Sequence, residues 1–350
     1  SFSDYTRTFA TNNLIITPNG SEKIGGVVAS LYATTEGQSI TLVYIDATEG
    51  WINTMDSTGQ AGLNPAFITA SVSGACNTLV TVDTDYKVAT FAGPGTFTVC
   101  SVGNPLGSDT VSYMVIAGGG GGSAGAGGAG GYREGRTPQC NTWTASPIAC
   151  ISGCNSGLPV SAQGYPIIVG GGAPTQASGS NSIFSTITST GGGGNTMSAP
   201  GSTAGSSGGS GGGAFNNNST PAAGGVGNTP PVSPSQGNSG GASTINNGAS
   251  GGGGAGGVGA VPLPCGASGN GGVGVTSSIN GTPTGRAGGG VGYNGAGTAT
   301  DGGGPGGGPG SPVCTGQAGT VNTGGGGGGA PGFTGGAGGS GIVIIRYKFQ

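Results

Sequence analysis

Short apolar segments separated by polar turns run through the first hundred residues. Residues 14–16, 40–45, 67–72, 79–82, 86–91 and 96–102 are rich in β-branched and aromatic residues. Pro, Gly and Asn cluster between them, as at residues 18–20 and 93–95. Since no segment repeats its apolar positions with a helical period, the pattern predicts short β-strands joined by tight turns.

These strands divide into a small β module over residues 1–61 and a β unit over residues 62–110. A module of about 60 residues can hardly bury an independent core, so we expect the first one to be supported by an oligomer. Trp51, with Tyr44 and Ile45, is assigned to that module's core or to a subunit interface rather than to a ligand site.

A long glycine-rich region follows, over residues 111–350, and two apolar β-prone segments bracket it at residues 112–117 and 341–348. Two such segments around the region suggest strands that pair and bring its ends together. The predicted fold class is therefore all-β N-terminal modules followed by a glycine-rich domain bracketed by β-strands, with little or no α-helix.

Composition decides how the glycine region is interpreted. The 350 residues include 89 Gly and 21 Pro, no His, and only 5% charged residues. Collagen requires Gly at every third position, and uninterrupted runs at residues 251–254 and 324–329 exclude it. A flexible Gly/Ser linker is the next alternative, but it has no need of the apolar segments at residues 165–169 and 183–187.

Glycine loses more backbone entropy on ordering than any other residue, so long Gly runs need an unusually favourable folded state. Extended passes without Cβ atoms can pack side by side as polyproline-II-like helices and exchange backbone hydrogen bonds. Ala and Ser are the substitutes that such packing tolerates, as in SAGAGG at residues 123–128. Turns between passes would then be free to vary in sequence.

Charge is confined mainly to the N-terminal modules. Between residues 137 and 345 only Arg286 and Asp301 are charged, so the basic surface that nucleic acids require is missing. No apolar run approaches the roughly 20 residues that span a bilayer, and no secretion signal is visible. The chain begins at Ser1 rather than Met, as expected of a processed or partial product.

Seven cysteines occur in this chain without His: Cys76, Cys100, Cys140, Cys150, Cys154, Cys265 and Cys314. Their spacing does not supply the paired ligands of a zinc site, so no metal is expected. Disulfides are favoured instead, because a Gly-rich region has few large side chains to bury. A Cys76–Cys100 bridge is one possible pairing, and the odd count leaves at least one thiol free or paired between chains.

Catalysis is not expected, and no cofactor is predicted. Glycan-cleaving enzymes commonly use two carboxylates, yet the only acids beyond residue 110 are Glu134 and Asp301. Without His there is no ordinary base for a Ser or Cys nucleophile. A pair drawn from the N-terminal acids remains the only route to a depolymerase: Glu36, Asp46, Glu49 and Asp56.

Several segments resemble glycine-rich tail-fibre and adhesin proteins of tailed bacteriophages. The resemblance is carried by YMVIAG at residues 113–118, GGYREG at 130–135 and GGSGIVIIRY at 338–347, with residues 165–172, 179–194 and 324–329 in the same order. Upstream, FAGPGTFTV at residues 91–99 resembles the segment that precedes such domains. Residues 9–58 resemble the small β modules of fibres in T4-like phages of marine cyanobacteria.

This resemblance implies a virion protein, exposed to the extracellular medium after release and usually trimeric in its β modules. Its implied partners are other virion proteins and a bacterial surface receptor, either a glycan or an outer-membrane protein. The insert at residues 139–155 and the number of cysteines depart from the family pattern. A structural fibre or filament subunit without a recognition role is the alternative function.

Candidate receptor contacts are the aromatic and cationic residues expected in turns: Trp143, Arg133, Arg136, Tyr293, Phe215 and Phe333. Each has a structural alternative. Trp143 is equally suited to a hydrophobic plug beneath the cysteine-containing insert. The two arginines fit either an anionic sugar or a solvated loop beside Glu134, and the remaining aromatic residues fit the capped edge of a packed bundle.

Overall fold

A computed structural model describes residues 1–56, 66–103, 107–137, 140, 142–150, 157–195, 201–217, 220–244, 248–262, 268–293, 315–330 and 334–350. The fold of these residues is all-β, as predicted, and the described part of the chain contains no α-helix. It divides into two compact units, Ser1–Pro65 and Ala66–Gln350.

The first unit contains five short strands. They are β1 (Phe2–Ser3), β2 (Leu14–Ile16), β3 (Leu31–Ala33), β4 (Ser39–Asp46) and β5 (Gly50–Asp56). Strands β1, β4 and β5 form one antiparallel sheet, and β2 pairs with β3. The Asp46 carboxylate accepts hydrogen bonds from the Thr48 and Glu49 amides at 2.7 and 2.8 Å, which closes the turn into Gly50. Among the described residues of this unit, only Ala33 and Ile40 are buried hydrophobic residues.

The described residues of the second unit form fifteen strands. They are β6 (Thr69–Ser73), β7 (Asn77–Val82), β8 (Tyr86–Phe91), β9 (Gly95–Ser101), β10 (Thr110–Ile116), β11 (Tyr132–Gly135), β12 (Leu158–Pro159), β13 (Gly164–Ile168), β14 (Ser182–Phe184), β15 (Ile187–Ser189), β16 (Phe215–Asn216), β17 (Gly248–Ala249), β18 (Val275–Ser277), β19 (Thr284–Arg286) and β20 (Ile342–Lys348). Most predicted apolar segments of this unit overlap single strands, whereas residues 183–187 span the end of β14, a turn and the start of β15.

Two sheets organise this unit. One has the order β11-β10-β20-β8-β7, with β12 also paired to β10, and the other has the order β15-β14-β13-β9-β6. Phe91, Phe97, Phe184 and Tyr347 belong to one buried apolar cluster that draws on both sheets. Because β8 pairs with β20 and β9 pairs with β13, the predicted segments 62–110 and 111–350 are joined in a single unit.

The two bracketing strands pair directly, which confirms the predicted closure of the glycine region. Strands β10 and β20 are antiparallel over five residue pairs, from Ser112 opposite Arg346 to Ile116 opposite Ile342. Alternate residues of β20 enter two separate buried clusters, with Ile345 in one and Ile344 in the other. An uninterrupted apolar run is therefore needed here, because both faces of the strand are covered.

Between the bracketing strands, glycine passes exchange backbone hydrogen bonds with several neighbours. The Gly120 amide donates to Gly128, and the Gly127 amide donates to Gly327, both at 2.9 Å. A Cβ atom placed on Gly127 would lie 2.0 Å from the Gly120 carbonyl oxygen, and one on Gly252 would lie 2.0 Å from that of Gly127. The close approach of backbones explains why this region cannot use larger residues. The polyproline-II-like form of the passes stays a prediction.

The passes run between two ends. At the end nearer the sheets, called the base, the Ala117 amide donates to Gly131 at 3.1 Å. At the other end, called the tip, the chain turns at residues 123–125, and the amides of Ala330 and Tyr293 donate to Ser123 and Ala124. Connections that follow Tyr293 and Ala330 fall outside the described residues.

Candidate functional site

Trp143 lies in the core of the second unit. Its side chain is 5% exposed and belongs to a buried cluster with Tyr86, Met114 and Ile279. The chain beside it is fixed, because the Thr144 amide donates to Ser278 Oγ at 2.9 Å and Ser278 returns its amide to the Thr144 carbonyl at 3.0 Å. In this structure Trp143 has the position of a hydrophobic plug and presents almost no contact surface.

Arg136 is hydrogen-bonded to the same segment. Its Nη1 donates to the Trp143 carbonyl oxygen at 3.0 Å, and its side chain is half-buried. Arg133 also is half-buried and lies on β11, the edge strand of the first sheet. Within the described residues, no hydrogen bond or ion pair engages the Arg133 side chain. The two predicted arginines thus have different environments.

Glu134, named from sequence only as the neighbour of the two arginines and as an isolated acid, is a buried hydrogen-bond centre with 3% exposure. Its Oε2 accepts from the Tyr132 hydroxyl and the Ser146 amide, both at 2.9 Å, and its Oε1 accepts from Ser277 Oγ at 2.5 Å. Burial raises the pKa of Glu134, although these hydrogen bonds oppose the shift. This carboxylate therefore ties β11, the insert and β18 together.

The charge of Glu134 faces a second buried group, Arg286. Burial lowers the pKa of Arg286, and the neighbouring Tyr132 and Glu134 oppose that change. Burial also raises the pKa of Tyr132 well above its usual range. These groups occupy the interior, where they fix neighbouring segments rather than offer acid–base chemistry to solvent.

Arg346 forms another buried polar centre that the sequence analysis did not identify. It is fully buried, ion-pairs with Asp83, and donates to Thr142 Oγ1 at 3.0 Å and to the Ile279 carbonyl at 3.2 Å. Its guanidinium lies 4.8 Å from the centre of the Tyr86 ring. The available signal was a single arginine within the apolar run of the last strand, since a buried charge requires partners.

The described cysteines differ in their surroundings. Cys76, Cys100 and Cys140 are free thiols, of which only Cys140 is buried. Burial raises the pKa of the Cys140 thiol, while the Arg346 charge opposes the shift. Cys150 is half-buried, and its amide donates to the Glu134 carbonyl at 2.9 Å. Three further disulfide candidates lie outside the described residues: Cys154, Cys265 and Cys314.

The Cys76–Cys100 bridge considered from sequence is not formed. Cys76 precedes β7 near the end of β9 that holds Gly95, whereas Cys100 lies at the opposite end of β9 beside Thr69. At roughly 3.3 Å per strand residue, these ends are more than 10 Å apart. A disulfide requires Cα atoms within about 7 Å, so this pair cannot bond without moving the strand.

The tip contains the only aromatic pair among the described glycine passes. Phe215 and Tyr293 pack edge to face, with ring centres 6.0 Å apart, against Ala124 and Ala249. Phe215 is 4% exposed, whereas Tyr293 is half-buried. Phe215 thus caps the packed passes, and Tyr293 keeps part of its ring accessible. Phe333 lies outside the described residues.

The first unit has an apolar groove of about 350 Å³ whose walls include Phe2, Ile24, Leu42 and Trp51. The Trp51 indole donates to Glu22 Oε2 at 3.2 Å, and the Tyr44 ring packs edge-on at 5.5 Å between centres. Trp51 is only half-buried. Trp51 therefore forms part of an apolar groove that the described residues of this unit leave partly exposed.

In the described portion of the chain, no three His, Cys, Asp or Glu side chains come together as metal ligands. Nor does any helix there have the length and apolar character required to cross a membrane.

The fold defines a class of protein: an all-β domain in which hydrogen-bonded glycine passes extend from a sheet that joins both ends of the region. The chain belongs to the glycine-rich domain family, whose model matches residues 90–348, or 259 of the 350 residues. No curated protein and no solved structure matched the chain.

Proposed function

We propose that the protein is a virion structural protein, a tail fibre or adhesin that attaches a bacteriophage to the bacterial surface. The observation that carries the proposal is the construction of the glycine domain. Its passes are held at one end by paired strands, and the described passes are joined to one another by backbone hydrogen bonds that need no side chain. Such a scaffold keeps its shape when the tip sequence changes.

Backbone hydrogen bonding makes this scaffold independent of side chains. Gly128, for example, donates to Gly193 at 2.8 Å and accepts from Gly120 at 2.9 Å, so each pass is fixed by its neighbours. Recognition residues on a rigid support lose little entropy when they bind. Tyr293 is the described residue best placed for such a role, because part of its ring is accessible at the tip.

The first unit supports an oligomeric fibre, for which we propose a homotrimer or another homo-oligomer together with other virion proteins. Ile15, Val27, Val28, Tyr32 and Ile45 are each more than half exposed, although the unit has few buried apolar residues. Large exposed apolar surfaces mark sites of association. Further copies of the chain would cover this surface.

Adsorption of particles that carry altered tips tests the proposed function. Tyr293→Ala, or exchange of residues 294–314 for a Gly/Ser segment of equal length, is expected to reduce adsorption at least tenfold. Val258→Ser is the matched control, because Val258 is 66% exposed near the base turn at residues 254–257. Normal adsorption by both tip variants, with intact particles, would contradict attachment through this end.

A structural fibre without a recognition role is the second candidate, favoured by the same exposed apolar surface of the first unit. In that function the chain would occur in many copies along a shaft or on the capsid. Antibody labelling of the chain on intact particles distinguishes the two. Label confined to fibre ends supports attachment, whereas label repeated along a filament supports the structural role.

A further inference from the structure

A small cavity lies beside edge strand β11, on the base side of the glycine passes. Its volume is about 170 Å³, and its wall includes Arg133, Glu134, Ile148, Cys150, Ser233 and Pro234. This volume is smaller than that of a typical drug-sized ligand pocket, and it suits a single six-membered sugar ring. The cavity lies at the base, at the opposite end of the glycine passes from the described tip residues Ala124 and Tyr293.

Backbone hydrogen bonds from β11 hold both sides of the cavity. The Tyr132 amide donates to the Gln236 carbonyl at 2.8 Å, which fixes the segment that contains Ser233. On the other side, the Cys150 amide donates to the Glu134 carbonyl at 2.9 Å. The walls are thus built into the fold, as in most small-ligand sites.

Two charged residues, Arg133 and Glu134, line the cavity. Among the described residues, no ion pair involves the Arg133 guanidinium. The nearest carboxylate in sequence, Glu134, is saturated by Tyr132, Ser146 and Ser277 in the interior. A planar guanidinium without an internal partner is suited to bind a carboxylate through two parallel hydrogen bonds.

We propose that this cavity binds a single carboxylate-bearing sugar ring of the hexuronic acid class. Arg133 binds the carboxylate, Ile148 and Pro234 contact the C–H face of the ring, and Ser233 bonds to a ring hydroxyl. The proposal goes beyond attachment at the tip, because it assigns a second binding site at the base. It is tested on soluble protein and does not depend on adsorption.

Calorimetric titration of the full chain tests the site with three probes: glucuronate, glucose and acetate. We expect saturable binding of glucuronate in the millimolar range, with glucose and acetate at least tenfold weaker. Arg133→Gln should weaken glucuronate binding at least tenfold, and Arg133→Lys should retain part of it, since lysine keeps the charge but not the planar fork. Arg7→Gln, an exposed arginine of the first unit, is the matched control.

Each alternative result has a defined meaning. Equal affinity for acetate and glucuronate would reduce the cavity to a simple anion site and overturn the sugar assignment. Equal affinity for glucose and glucuronate, unchanged binding by Arg133→Gln, or no saturation would overturn the role of Arg133. A thermal unfolding midpoint for each variant establishes that it is folded. Adsorption defects at the tip with no glucuronate binding would reject this inference alone.

Discussion

At the scale of single residues, Glu134 links stability to pH. Its pKa is raised by burial above the ordinary value of 4.5, so the folded state holds the proton more tightly than the unfolded chain. The contribution of this group is therefore greatest below pH 4.5 and is lost as pH rises through the folded pKa. A tenfold difference in proton affinity between the two states corresponds to about 1.4 kcal/mol of stability.

Glu134→Gln removes this titration and permits a direct measurement. We expect the free energy of unfolding of the wild type, relative to the variant, to fall as pH rises from about 4 towards neutrality. Chemical denaturation of both proteins at several pH values measures the difference. A difference that stayed constant, or that grew with pH, would show that burial does not dominate the pKa of this carboxyl.

Gly127 tests whether the lattice tolerates any side chain. Since a Cβ there would meet the Gly120 carbonyl oxygen at 2.0 Å, we expect Gly127→Ala to cost about 3 kcal/mol or more, or to prevent folding. Gly171 has no atom within 4 Å of its ideal Cβ position and is the matched control. Gly171→Ala should be neutral or stabilise by up to about 1 kcal/mol in thermal or chemical unfolding. Equal effects of the two substitutions would contradict close backbone packing.

At the scale of elements, the local sequence pattern predicted where strands occur but not which strands pair with each other. Residues 86–91 were predicted as a strand and form β8, because alternating β-prone residues act within a few positions. Its pairing with β20 spans about 250 residues, and nothing local encodes it. Burial of Trp143 and Arg346 depends on such distant contacts, so the sequence nominated Trp143 without placing it and did not identify Arg346.

Strand β20 should contribute strongly to stability because it pairs with β8 and β10 and buries both faces. Ile344→Ala removes a side chain that is 1% exposed, and we expect a loss of about 2–5 kcal/mol in unfolding free energy. Val80→Ala is the control, because Val80 is 48% exposed on edge strand β7. Chemical denaturation should show less than about 1 kcal/mol for that change. Similar losses for both would count against β20 as the closing strand.

At the scale of the whole molecule, the two units differ in how much apolar surface they bury. The second unit has extensive buried clusters, with Phe91, Phe97 and Ile345 fully buried. The first unit buries little among its described residues and leaves Val28 and Ile45 58% and 56% exposed. A small unit with such a surface gains most from association, because each apolar group removed from water adds to the interface.

The full chain is therefore expected to self-associate through the first unit. Replacement of both Val28 and Ile45 by serine should raise the dissociation constant of the oligomer at least tenfold, equivalent to about 1.4 kcal/mol. Val258→Ser, at a residue of the second unit that is 66% exposed, should leave the dissociation constant unaltered. Sedimentation over a concentration series measures this. A monomeric wild type would contradict homo-oligomer formation, whereas equal weakening by Val258→Ser would assign association to the second unit.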